Sequence, residues 1–166
     1  MLDIGLLVIR VPAGLLLAGH GTQKLFGWFG GDGLAATGEA FENLGYRRGR
    51  VMAAVAGLTE VAAGLGLAVG LLTPLAAAAV IGVMINAAAT AHRANGLWAQ
   101  NGGYEYPLVV AALAAGVALH GAGTLSVDAV LGLEQPDTVW AGAAVGLGVV
   151  VAAVTLGAAR QRKPRT

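Results

Sequence analysis

The chain has 166 residues, of which 57% are hydrophobic and 11% charged, with ten basic and nine acidic residues and no cysteine. A soluble domain carries about 25% charged residues, so this composition excludes a water-facing globule; the net charge of +1 says little about partners, and no nucleic-acid partner is expected. Without cysteine there are no disulfides, no thiolate catalysis, no iron–sulfur ligation and no c-type haem attachment.

Five apolar blocks follow one another, at about 4–21, 51–72, 74–91, 106–125 and 139–159. Each is close to the ~20 residues that a helix needs to cross ~30 Å of hydrocarbon. Lipid cannot satisfy free backbone groups, so the expected state of each is a helix. The fold class is therefore all-α, a polytopic transmembrane bundle. The first block is not read as a cleaved signal, because Asp3 replaces a basic n-region, Arg10 interrupts the run and no small-residue cleavage site follows. Thr73–Pro74 marks a tight turn between the second and third blocks. Gly121 and Gly123 break the fourth near its end. Gly66-x-x-x-Gly70 and Gly142-x-x-x-Gly146 have the spacing of close-packed membrane helices, a weak signal among 27 glycines.

Basic residues set the expected orientation. Lys24, Arg47, Arg48 and Arg50 lie between blocks one and two, Arg93 between three and four, and Arg160, Arg162, Lys163 and Arg165 after block five. Five crossings put all nine on one side, and the other side holds Asp3, Asp128, Glu134 and Asp137. The expectation is a multi-pass protein of a bacterial-type plasma membrane, N-terminus outside and C-terminus cytoplasmic. Phe26, Trp28, Phe29, Phe41, Tyr46, Trp98, Tyr104 and Tyr106 also gather on the basic side. A simple anchoring belt would occupy both interfaces, so the skew predicts a folded cap, with Leu34, Phe41 and Leu44 on one face of a short interfacial helix.

Ionisable residues inside apolar blocks are functional candidates by default. Arg10 in block one and Glu60 in block two form the natural pair by charge, with a purely structural ion pair as the equal alternative. At the basic ends of the blocks lie His20, Gln23, Lys24, His92, Asn95 and Glu105. A compact bundle is expected to draw them with Glu60 into one polar pocket.

The run His20-Gly21-Thr22-Gln23-Lys24-Leu25-Phe26-Gly27-Trp28-Phe29-Gly30-Gly31 resembles the signature of DoxX-type membrane proteins. Glu60, His92 and Gly102-Gly103-Tyr104-Glu105-Tyr106-Pro107 extend the likeness, which covers about 4–131. The family is usually a four-span bundle. The resemblance therefore implies a DoxX-like core over 1–131, with 132–166 adding a fifth helix and a basic cytoplasmic tail. It also implies a role near respiratory or sulfur redox chemistry and association with quinone-linked oxidoreductases, while related families include chaperones and cargo receptors.

The residues themselves leave three functions open. The first is an accessory, quinone-interacting subunit of a membrane oxidoreductase system: His20, Lys24 and His92 as donors to quinone oxygens, Glu60 and Glu105 as proton carriers. With no thiol couple and no dinucleotide fingerprint, electrons must come from a cofactor or partner protein. Haem or zinc on His20 and His92 is disfavoured by the lack of a local ligand motif. The second function is a non-enzymatic scaffold or chaperone. The third is a small proton-coupled transporter, which at this length would need a homo-oligomer and shows no internal repeat.

Overall fold

The computed structural model describes residues 1–133 and 138–159. Glu134, Asp137 and the basic residues of the tail lie outside these described residues. The helices are α1 (Leu2–Phe26), α2 (Gly33–Asn43), α3 (Gly49–Val69), α4 (Thr73–Ala87), α5 (Glu105–His120), α6 (Val127–Val130) and α7 (Thr138–Ala159). Beyond α4 the chain continues through a π turn at Ala88–His92 and a 3-10 turn at Arg93–Asn95. Among the described residues, four segments are long and apolar enough to cross a membrane, namely Leu2–Phe26, Gly49–Val69, Thr73–Asn95 and Thr138–Gly157.

The fourth apolar helix, α5, has 16 residues, or ~24 Å. It stops one turn before the expected boundary because Gly121 adopts φ 81. The loop after it still reaches the far end of the bundle, where the Thr124 backbone N–H donates to Asp3 Oδ1 at 2.9 Å. The chain thus runs the height of the bundle five times, and α1 begins at the end opposite to the one where α7 finishes.

Around the bundle, α1 packs on α3 and α5, α4 packs on α3, α5 and α7, and α5 touches α7. The C-terminal helix is therefore built into the bundle through α4 and α5. Its side chains interleave with α4 in parallel, with Gly148 against Ala78 and Ile81 and with Thr155 on Asn86. The common core joins Leu17 of α1, Ala63 and Leu67 of α3, Ala77, Val80, Ile81 and Met84 of α4, Val110, Ala114 and Val117 of α5, and Ala144 of α7.

A close seam runs antiparallel between α1 and α3. Gly14 meets Gly64, and Gly21 meets Gly57, seven residues apart on each helix. A Cβ on Gly64 would sit 2.6 Å from the Gly14 carbonyl, and one on Gly21 would sit 2.5 Å from the Gly57 carbonyl. Small residues let membrane helices approach to backbone contact. The two glycine pairs singled out by spacing do other things. Gly142 and Gly146 face open space, Gly66 touches only Ala76 and the Leu71 carbonyl, and Gly70 is a left-handed C-cap of α3 at φ 68.

A polar clamp closes the end opposite the basic loops. Asp128 accepts from the backbone N–H of Leu72 at 2.7 Å and of Thr73 at 2.9 Å, so it caps α4, while its own N–H donates to the Gly70 carbonyl. Arg10, 1% exposed, donates to the carbonyls of Ala68 and Leu125. A guanidinium at the C-terminal turn of α3 satisfies carbonyls the helix leaves unpaired and complements its dipole.

Candidate functional site

At the other end, α2 folds over the bundle as the expected cap, with Leu34, Phe41 and Leu44 half-buried. The glycine-rich run after α1 makes the turn into it. Gly27 ends α1 in the left-handed conformation at φ 73, its N–H bonded to the Gln23 carbonyl. Gly31 lies against the Gln23 backbone, where a Cβ would come within 2.5 Å. Phe41 stacks on Tyr46 at 5.2 Å between centroids.

Beneath this cap a cavity of about 380 Å³ runs along α4, with α3 and α7 as its walls and α2 as its roof. Its length is lined by apolar residues, among them Met52, Val55, Leu75, Val83, Leu147 and Val151. Toward the capped end it carries the polar groups Lys24, Tyr46, Asn86, Thr90, His92 and Thr155, with Thr59 and Glu60 deeper, at mid-height on α3.

The central polar feature is an ion pair. Lys24 Nζ lies 2.6 Å from Glu60 Oε2, with the glutamate side chain 4% exposed and the lysine 26%. Lys24 also donates to the His20 carbonyl at 3.5 Å. This corrects the expectation that Arg10 would pair with Glu60. The glycine seam sets Glu60 about level with Ala18, so Lys24 is six residues (~9 Å) to one side and Arg10 eight residues (~12 Å) to the other. Helical side chains lean toward their own N-terminus. On antiparallel α1 and α3, Lys24 and Glu60 therefore lean together, whereas Arg10 and Glu60 lean apart. Arg10 belongs to the clamp at the opposite end.

Other neutral groups continue the polar end. Asn86 donates to the Gly82 carbonyl at 2.9 Å and shares a contact of 3.0 Å with Thr155 Oγ1, while Tyr46 donates its hydroxyl to Asn86 Oδ1 at 3.2 Å. Thr59 and Thr90 each donate to a carbonyl one turn back, at 2.7 and 2.8 Å, which leaves their oxygens as acceptors. His92 Nδ1 donates to the Gly102 carbonyl at 2.8 Å, and such a bond fixes the role of the other ring nitrogen.

The expected single pocket is divided in three. Lys24, Glu60 and His92 line the cavity. His20 and Gln23 sit beside it, bonded to each other at 2.8 Å, with the His20 ring on Tyr106 at 5.2 Å. Asn95 and Glu105 build the loop instead: Asn95 donates to the Gly102 carbonyl at 3.2 Å, and Glu105 accepts from the Ala99 N–H at 2.8 Å. His20 and His92 thus serve separate hydrogen bonds, and among the described residues no three His, Asp or Glu side chains cluster as a metal site. Asn86, Thr90, Thr59, Thr155 and Tyr46 were not expected at the site. Asn86 and Thr155 did carry a signal, as isolated polar residues within apolar blocks.

The DoxX family model matches residues 5–93, more than half of the chain, including the run from His20 to Gly31, Glu60 and His92. The chain belongs to the DoxX family. No curated protein and no solved structure matches it. The DoxX match takes in α1 to α4 and the cap, and stops before the segment 102–107, α5 and α7. It is a multi-pass membrane protein, and lipid is the solvent around its bundle.

Proposed function

We propose that this DoxX-family chain binds a quinone-class molecule, a neutral polar ring with a long apolar tail, as an accessory subunit of a membrane oxidoreductase system. The observation that carries this reading is the Lys24–Glu60 pair at the polar end of an otherwise apolar cavity. Pockets of ~300–1,000 Å³ with a few placed polar groups are typical of small-molecule sites. A ring fits the capped end, and the apolar length toward Leu75 and Leu147 suits a tail.

The charge of the site supports a neutral headgroup. Its cation and anion already neutralise each other, so a phosphate or carboxylate would find no uncompensated partner. A bound quinone would supply reversible two-electron, two-proton chemistry. The chain's own part is to hold and orient the ring. The Lys24 ammonium donates toward a carbonyl oxygen. Glu60 accepts from a hydroxyl and can hold its proton, and the oxygens of Thr59 and Thr90 offer further acceptors. The basic loops at this end favour a cytoplasmic position for it by the positive-inside rule.

The test is purification in mild detergent followed by solvent extraction and mass spectrometry. Wild-type protein should carry quinone well above its ratio to phospholipid in the source membrane, and Lys24→Met with Glu60→Gln should lose that enrichment. Quinone no more abundant than in bulk lipid would reject the reading in favour of a scaffold.

A further inference from the structure

The family match ends at residue 93, yet the cavity is incomplete without α7, which supplies Leu147, Val151 and Thr155. Both α3 and α7 pack on α4, and among the described residues they make no extensive contact with each other. The seam between them is therefore a slot along α4 rather than a closed wall. Its lips are exposed: Val55 on α3 at 50% and Val151 on α7 at 45%. In a bundle surrounded by lipid, that slot faces acyl chains.

Toward the polar end, among the described residues, a polar contact adds to the packing of α7 on α4. Thr155 Oγ1 and the Asn86 side chain lie 3.0–3.1 Å apart, and Asn86 in turn accepts from Tyr46 beneath the cap. This node joins the cap, the floor and the added wall beside Thr90 and the Lys24–Glu60 pair.

We infer that the ligand reaches the cavity sideways from the bilayer, through the slot between α3 and α7, and that Thr155 sets the width of this opening by holding α7 on Asn86. Thr155 is a positioning residue on a helix beyond the family-matching segment. The inference rests on the quinone reading for the identity of the occupant, while the route can be tested without any quinone. A lipid-soluble molecule reaches the ring-binding end with no passage through water. Loss of the Thr155 hydroxyl removes one hydrogen bond of ordinary strength, which shifts an opening equilibrium by about two- to tenfold.

The chain has no cysteine, so one introduced thiol is unique. Ala79→Cys and Val83→Cys each place it on the α4 face that lines the cavity. Each variant, in lipid nanodiscs, is treated with a membrane-soluble pyrene maleimide and separately with a charged, water-soluble maleimide. The expected result is faster labelling by the membrane-soluble reagent at both positions, accelerated about two- to tenfold when Thr155→Val is added. Equal or faster labelling from water, no labelling by either reagent, or rates indifferent to Thr155→Val would overturn the inference. Two positions guard against a variant that fails to fold. Absence of quinone enrichment in the wild-type protein, with lateral labelling intact, would reject the proposed occupant and leave the route standing.

Discussion

Substitution of Gly21 by alanine tests the seam on which the site is built. A Cβ there would lie 2.5 Å from the Gly57 carbonyl oxygen and 2.8 Å from the Val61 nitrogen, both backbone atoms. Ordinary contact begins at 3.4 Å, so α1 and α3 must separate by about 0.9 Å, the difference between 3.4 and 2.5 Å, or distort. Overpacking of this kind costs ~1–3 kcal/mol, and in a chain of this size each ~1 kcal/mol lowers the unfolding midpoint by ~2–4 °C. Lys24 and Glu60 bridge the same two helices, so the same separation would stretch their 2.6 Å contact toward about 3.5 Å.

Two controls sharpen this. A Cβ on Gly57 first meets the Leu25 side chain, at 2.7 Å, which can rotate away, so Gly57→Ala should cost less than Gly21→Ala. Gly19 has nothing within 4 Å of its added Cβ, and Gly19→Ala should be neutral or gain ~0.5–1 kcal/mol from helix propensity. Because one separation relieves both clashes, Gly21→Ala and Gly64→Ala should together cost at least ~0.5 kcal/mol less than their sum. The assay is thermal unfolding followed by circular dichroism in one detergent. If Gly21→Ala melted together with Gly19→Ala, backbone contact would not define the seam.

Three further outcomes follow from the charged groups. Lys24→Met leaves Glu60 buried without its partner and should destabilise by ~3–5 kcal/mol, with much of that recovered in the Lys24→Met, Glu60→Gln double variant; equal melting of single and double variants would contradict the pairing. Arg10→Met removes charged donors from the Ala68 and Leu125 carbonyls and should cost at least ~1.5–3 kcal/mol. Quinone enrichment should survive it, because the clamp and the cavity's polar end lie at opposite ends of the bundle, and coupled loss of both would restore Arg10 to the site. Asp128→Ala strips the cap from α4 and should cost ~1–2 kcal/mol, seen as faster hydrogen exchange at the Leu72 and Thr73 amides; unchanged exchange there would show that the cap carries no load.

Composition and block length are sufficient to dictate helices in lipid, because every backbone polar group must be paired within its own segment. The cap is legible too, since Leu34, Phe41 and Leu44 recur at helical spacing between glycine-rich turns. Residue types likewise announce that Glu60 needs a partner. They do not say which, because two cations on α1 compete for it and the outcome depends on the register of two helices. That register is set by backbone contact at Gly14, Gly21, Gly57 and Gly64, residues with no side chain to advertise a partner. It makes Lys24 lean toward Glu60 and turns Arg10 toward the far clamp. The role of α7 is tertiary in the same sense: Thr155 is one polar residue on an apolar helix until parallel packing on α4 brings it to Asn86. Local chemistry determined the elements and their polar burdens, and only their mutual displacement, governed by how closely backbones approach, decided which burdens meet.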